Sequence, residues 1–422
     1  MSKYLIKCGK LFDGVELRLQ ENVNILVEED RIIETGSNIK QPDDAEIIDL
    51  SQLTVSPGLI DAHTHFDFIG PNSFGTYAHC SSDERRSMNI LYCANKSLMG
   101  GFTTVRQMGL SINGFGAIDA RDAIASGDFV GSRLIVAPHL LGISGGHGDY
   151  SSFFSNYPAL SDAMESLNPF TGHGADFYRK AVRKEVKYGA DCLKIMATGG
   201  FASPNDDPYD CQLNDEELQA LIETAAQLNR PVTAHAYSSE LVQKLLKMGI
   251  TGIEHGALID EKTFELFEET DAYLVCTFLP YDEAVNMDEE KLATKSKYFI
   301  AKLLKYQEQL QATRRLIIQK ILEDNIRIGY GTDIVAVYNN YECWREFPIW
   351  RKSGIPALRT LKAATSINAS IVGNEEIGQI APGKIADIVA WASDIENDIE
   401  AISDCAFVMK EGVIYKSNDR RI

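Results

Sequence analysis

The middle of the chain alternates between short apolar runs and longer amphipathic ones. "TTVRQM" reads as a strand after a helix that ends at Gly100 and Gly101, and "RLIVAPH" as another strand. "DCLKIMA" follows a helical run over 176–189, "PVTAHA" one over 214–229, and "GIEHG" one over 238–248. "AYLVCTF" follows 260–269, and "IRIGYGTD" follows a long helical stretch within 288–323. With "LIDAHTHF" these make eight strands, each followed by a helix or by a loop and helix. Strands alternating with helices predict parallel βα units. Eight of them predict a closed (β/α)8 TIM-like barrel, in an α/β chain. An open doubly wound sheet is the competitor, but no GxGxxG follows the first strand.

The two ends carry a different pattern. "YLIKCGKLFDG", "NVNILVEEDRIIETG" and "AEIIDL" are short β-branched runs broken by turn residues. "ADIVAWAS" and "CAFVMKEGVIYK" near the other end look the same. Neither piece holds enough apolar surface to fold well alone. The expectation is a small β-sandwich built from 1–55 plus 373–422, with the barrel over 56–372 inserted between them.

Composition narrows the partners. Of 422 residues, 41 are Lys or Arg and 60 are Asp or Glu, a formal charge of -19. Nucleic acid or an anionic membrane surface would need clustered positive charge. No apolar run approaches the length of a membrane span, and "MSKYLIKCGKLFDG" lacks a signal-peptide pattern. The eight cysteines are scattered and none forms a CxxC pair, which suggests reduced thiols. The expected protein is cytoplasmic, with no nucleic acid and no membrane among its partners.

Candidate chemistry gathers at the predicted C-terminal strand ends, where barrels of this kind place their sites. In "SPGLIDAHTHFDF" His63 and His65 alternate, so both point to one face of the first strand. The fourth strand carries Lys194, the fifth ends at His235, the sixth at His255, and the eighth at Asp333. Four of the eight histidines fall at such ends. Each alone has a plain structural reading: a satisfied strand-end histidine, an Asp333 that caps the next segment, a salt-bridged core lysine. All those readings must hold together, and imidazole with carboxylate suits divalent transition metals such as zinc.

The order HxH, Lys, His, His, Asp on strands one, four, five, six and eight resembles the amidohydrolase superfamily. The resemblance covers nearly the whole chain, from the entry "SPGLIDAHTH" to the exit "IGQIAPGKIADIVAW". "GGFTTVRQMG", "SGGHGD", "KIMATGG", "HAYS", "IEHG" and "LKAATSINASIVG" are similar to the prolidase-like, or imidazolonepropionase-like, branch. That resemblance implies a binuclear-metal hydrolase, with two divalent ions such as zinc. It implies that His63 and His65 bind the more buried metal and that His235 and His255 bind the second. Lys194 would carry a CO2-derived carbamate that bridges both, as suits a buried lysine of lowered pKa. Asp333 would bind the first metal and hold a proton. The implied reaction is attack of metal-bound hydroxide on the amide bond of a dipeptide or N-acyl amino acid. Homo-oligomerisation is implied as well.

Two more residues are candidates for substrate contact. Tyr237 lies two residues past His235 and points the same way if the strand continues. It would polarise the carbonyl or hold a carboxylate; the alternative is a packing tyrosine. His147, among the glycines of "SGGHGD", would bind substrate, because glycines let a backbone approach a ligand closely. His79, His139 and His173 have no assigned role. Two departures from the family pattern lie near the expected pocket. Arg106-Gln107 stands where relatives often have Arg-Asp, and "GTDIVAVYNNYE" lacks a histidine soon after the aspartate. The runner-up activity is a cyclic-amide, urea or carbamate hydrolase or a deaminase on the same scaffold. A non-enzymatic scaffold would have lost ligands, and none is missing.

Overall fold

The structure is a computed structural model of the 422-residue chain. It describes residues 2–70, 81–109, 114–282, 296–335 and 338–417. The first part contributes strands β1 (Lys3–Leu11), β2 (Gln20–Glu21), β3 (Asn24–Glu28), β4 (Arg31–Gly36) and β5 (Glu46–Pro57). The chain then enters the barrel with β6 (Leu59–Thr64), β7 (Phe102–Met108), β8 (Arg133–Ala137), β9 (Leu140–Leu141) and β10 (Leu193–Met196). It continues with β11 (Val232–Ser238), β12 (Gly252–Leu258), β13 (Tyr273–Cys276) and β14 (Ile328–Tyr330). The last part returns β15 (Ile388–Trp391), β16 (Cys405–Lys410) and β17 (Val413–Lys416).

The terminal strands form one sheet in the order β17-β16-β15-β5-β1-β3-β4, with β2 beside β1. The two chain ends meet where β15 runs antiparallel to β5, pairing Val389 with Ser56. The sheet also folds back on itself. Ile32 donates to the Lys384 carbonyl at 2.9 Å, and Ala386 to that of Asp30 at 2.8 Å, so β4 meets the approach to β15. The fold encloses one core of Ile6, Ile25, Val55, Ile388 and Phe407 drawn from both ends. Each end therefore buries apolar surface that it would expose alone.

The barrel strands are parallel, and the helices between them are amphipathic. They are α1 (Asp83–Met99), α2 (Gly116–Ala125), α3 (Pro158–Ser166) and α4 (Ala175–Tyr188), then α5 (Asp215–Gln227), α6 (Ser239–Lys247), α7 (Glu261–Glu269) and α8 (Lys297–Glu323). Start signals fix several of them. Asn214 and Glu217 form a capping box on α5: Glu217 donates its backbone N–H to Asn214 Oδ1, and Asn214 donates its own to Glu217 Oε2. Such a cap is worth about 1 kcal/mol. All eight expected strands are present. "RLIVAPH" is broken, however: β8 ends at Ala137, and after Pro138 the chain resumes as β9 beside β10. Pro138 has no N–H to continue the ladder.

Closure between the first and last barrel strands uses side chains. Asn368 donates to the carbonyls of Ile60 at 2.7 Å and Tyr330 at 2.8 Å, and accepts from the Tyr330 N–H at 3.2 Å. Asp61 on β6 accepts from the Thr332 hydroxyl and from the backbone of His63 and Thr332. These bonds hold the end of β6 against the segment after β14, which places His63 beside Asp333.

Candidate metal centre

Lys194, His235 and Glu254 sit on neighbouring strands. Register pairs Lys194 with Thr233 and His235 with Glu254. His235 and His255 do not end their strands as expected; β11 runs on to Ser238 and β12 to Leu258. Strand alternation alone would send Glu254 and His255 to opposite faces. His255 instead has a left-handed backbone, φ 71°, followed by Gly256 at φ 57°. That turn lets Glu254 bond the His63 ring while the His255 ring lies 5.0 Å from it. Asp333 is also left-handed, at φ 45°. Such backbone costs on the order of 1–3 kcal/mol for a non-glycine residue and concentrates at functional sites. Gly331 makes room here: a Cβ on it would lie 2.9 Å from the His63 Cβ.

Three imidazoles converge on one carboxylate. His63 Nε2 is 3.6 Å and His65 Nε2 3.3 Å from Asp333 Oδ1; His255 Nδ1 is 3.7 Å from Oδ2. His63, His255 and Asp333 offer ligand atoms that all lie within 4.8 Å of one another. The His235 ring joins through His255, at 4.8 Å between centroids. Burial pulls His63 and His235 well below the usual imidazole range, and His255 down to about 3. Neutral rings present lone pairs. Burial opposes the charge of Asp333, and positive charge beside it, on an imidazole or on a bound cation, is what holds its carboxyl below the usual carboxylate range. Lone pairs gathered around an ionised carboxylate call for a cation.

Lys194 adds an amine to this cluster. It is 2 % exposed, and among the described residues its Nζ has no hydrogen-bond partner. Burial lowers its pKa to about 8, against the pull of Glu254 and Asp333. An unpaired buried ammonium is expensive. The donor set of imidazoles, carboxylate and a partnerless amine therefore fits divalent metal, with Lys194 able to take part once deprotonated.

The remaining candidates lie around these side chains. The His147 ring stacks on His235 at 4.4 Å. On its other side it touches Gly200, where a Cβ would lie only 2.2 Å from the ring. His147 Nδ1 is 2.6 Å from Ser203 Oγ, and Ser203 donates in turn to Asp206. Tyr237 points with His235, since the strand continues: its ring is 4.7 Å from His235 and stacks on His255 at 5.5 Å. The Tyr237 hydroxyl meets that of Tyr281. His139 is elsewhere, bonded to Glu185 and stacked on Phe170. His173 is exposed, and His79 lies outside the described residues.

Sequence reasoning missed several supports. Glu254 accepts from Arg106 and Thr233 inside the barrel, and its other oxygen lies 2.7 Å from His63 Nδ1. Thr277 bonds His255 Nδ1 at 2.8 Å. The signal for Glu254 was a charge inside an otherwise buried strand, which demands a partner. Gln107 accepts from the Phe66 N–H and donates to Asp67, so it braces the turn after β6. In the segment after "GTD", Asn340 donates to the His65 carbonyl.

Known proteins resemble this chain in sequence and fold. Residues 54–416 match the amidohydrolase family. Ochratoxinase from Aspergillus niger is 28% identical over 379 residues, covering 85% of this chain and 75% of that one. A crystal structure of a Xaa-Pro dipeptidase with methionine bound in its active site is 29% identical, with a TM-score of 0.84, covering 99% of this chain and 100% of that one. A prolidase complexed with N-methylphosphonate-L-proline is 26% identical, with a TM-score of 0.83 and the same coverage. The chain belongs to the amidohydrolase family, in its prolidase-like branch, and is a metal-dependent hydrolase of carbon–nitrogen bonds.

Proposed function

We propose that the protein cleaves the amide bond of dipeptides or N-acyl amino acids with two divalent metal ions, of which zinc suits the donors best. The observation that carries the two-metal reading is the partnerless Lys194 amine beside the imidazole–carboxylate cluster. His63 and His65 would hold one ion, with Asp333, and His235 and His255 the other. Lys194, once deprotonated, would take up carbon dioxide with loss of a proton, and the carbamate anion so formed would help hold the ions. Ions bound there supply Lewis acidity, which acidifies water and polarises a carbonyl. A single-metal deaminase would have no use for that amine.

Asp333 is the proton carrier. Ionised at rest, it takes the proton of the attacking water and returns it to the amine nitrogen as the C–N bond breaks. The Tyr237 hydroxyl orients the scissile carbonyl or the substrate carboxylate. His147, fixed between Gly200 and His235, binds the leaving-group side, where a free carboxylate supplies binding energy away from the scissile bond. Residues 56–372 form the catalytic barrel and 1–55 with 373–422 the flanking domain. No described helix is long and apolar enough to cross a membrane, and the seven described cysteines are free thiols. We read the protein as a cytoplasmic homo-oligomer.

The test is turnover of a dipeptide and N-acyl-amino-acid library by metal-loaded protein, each substrate paired with its carboxamide. Free carboxylates should react with much higher kcat/KM, and the gap should narrow in His147→Ala. Hydrolysis of cyclic amides, ureas or carbamates alone would overturn the reading.

A further inference from the structure

Among the strands that carry the imidazole–carboxylate cluster lies a buried ionic group. Arg106 on β7 is 1 % exposed. Its Nε donates to the Ala62 carbonyl, Nη1 to the Tyr273 hydroxyl and Nη2 to Glu254 Oε1, each at 2.6 Å. Glu254 Oε1 also accepts from the Thr233 hydroxyl at 2.6 Å, and Oε2 lies 2.7 Å from His63 Nδ1. Five side chains from strands β6, β7, β11, β12 and β13 thus join in one network whose far end is a metal-ligand candidate.

We propose that Glu254, anchored by its ion pair with Arg106 and the bond from Thr233, is a positioning residue that fixes the His63 tautomer: the proton stays on Nδ1, and Nε2 faces Asp333 as a lone pair. Guanidinium does not deprotonate in proteins, so the carboxylate bonded to it is a charged counter-ion. An ionised carboxylate only accepts. The ring nitrogen 2.7 Å from it must therefore donate. In a neutral ring the other nitrogen is then the acceptor. The reach to metal rests on the proposed function; the tautomer assignment does not.

The experiment uses the full chain labelled with 15N-histidine, with His63 assigned by its loss in His63→Gln. In metal-stripped wild type, two-bond 15N–1H correlation should place the His63 proton on Nδ1. In Glu254→Gln, Arg106 and Thr233 both donate to the amide oxygen, so the amide N–H₂ faces His63 and the proton should move to Nε2. Competition with a chelator should show Zn2+ bound roughly 10- to 100-fold more weakly, the usual cost of removing such a support. Where Glu254→Gln leaves Arg106 without a counter-charge and the chain fails to fold, Arg106→Met/Glu254→Gln removes the stranded charge and is measured in its place. A wild-type proton on Nε2, or the same tautomer in a folded variant, overturns the proposal. A tautomer switch with unchanged Zn2+ affinity overturns the metal role of His63 and leaves the Glu254 assignment standing.

Discussion

Two regions of the molecule each bury a lysine, and they treat it in opposite ways. Lys302 on α8 donates to the carbonyls of Gly200 at 2.6 Å and Ser203 at 2.7 Å and to Asp206 Oδ1 at 2.9 Å. Its three protons have three acceptors. Burial opposes the charge of Asp206, but hydrogen bonds from His147, Lys302 and Ser203 hold its carboxyl well below the usual range. Lys194 on β10 is as buried and has no acceptor among the described residues. A satisfied buried charge braces a structure; an unsatisfied one raises the free energy of the fold until something binds or the proton leaves. The first lysine ties α8 to the loop behind His147. The second is poised for chemistry.

The largest effect should come from removing the unsatisfied amine. Lys194→Ala should lose bound divalent metal, measured by elemental analysis, and with it turnover. Lewis acidity is worth several kcal/mol, so the rate should fall by about a thousandfold or more. Short carboxylic acids should restore part of the activity by filling the carbamate's place. A Lys194→Ala protein that keeps both metal and turnover would break the contrast between the lysines.

The same amine should also show itself without metal. Its pKa falls from 10.5 to about 8 on burial. Between those values the unfolded chain binds a proton that the native chain does not, so stability rises with pH. The penalty is complete below about pH 8 and gone above about 10.5. At 1.36 kcal/mol per unit its upper limit is about 3 kcal/mol. Urea unfolding of metal-stripped, bicarbonate-free protein at several pH values, wild type minus Lys194→Met, should show this slope. A flat difference would mean that Lys194 is solvated.

Lys302→Met should instead damage the fold. It removes the donor to two carbonyls and one of the donors to Asp206, and breaking such a buried pair costs about 3 kcal/mol. Metal content per folded molecule should stay at the wild-type level, while KM for carboxylate substrates rises as His147 loosens. Loss of metal in folded protein would erase the distinction. Asp333→Asn should lower kcat by at least about a hundredfold, the lower range for general acid–base catalysis; near-normal turnover in a metal-loaded variant would refute its role.

The sequence displayed one side of this contrast better than the other. The eight barrel strands were legible because each apolar run is set off by an amphipathic helix and turn residues. The ligand candidates were legible because histidine is rare here and falls near strand ends. Glu254 and Arg106 were visible only as isolated charges. Their pairing depends on barrel register across strands far apart in sequence, which periodicity does not encode. The Lys302–Asp206–Ser203 brace depends on side-chain directions in an irregular loop. The left-handed backbone at His255 and Asp333 falls on residues that are not glycine, and Gly256 marks only the position after the first. Pro138 did announce the break before β9, and the reading ran the strand through it.

The tyrosine pair lies between the two extremes. Tyr237 stacks on His255, and its hydroxyl meets that of Tyr281, on the segment after β13. Burial pushes both hydroxyls upward, so both stay protonated at neutral pH. Each hydroxyl has one proton to give. When one donates to the other, the proton of the acceptor is left free to reach another oxygen, and a substrate carbonyl or carboxylate beside His235 is such an oxygen. Tyr281→Phe removes one neutral hydrogen bond, worth about 1 kcal/mol. Folding stability should fall by that amount, and kcat/KM by about fivefold. Tyr237→Phe should cost more in kcat/KM, since it removes the group next to the imidazoles. The double variant should lose less than the sum, because residues sharing a hydrogen bond couple by about 0.5 kcal/mol or more. Strict additivity would show that the two hydroxyls act separately, and Tyr281 would then belong with Lys302 among the braces.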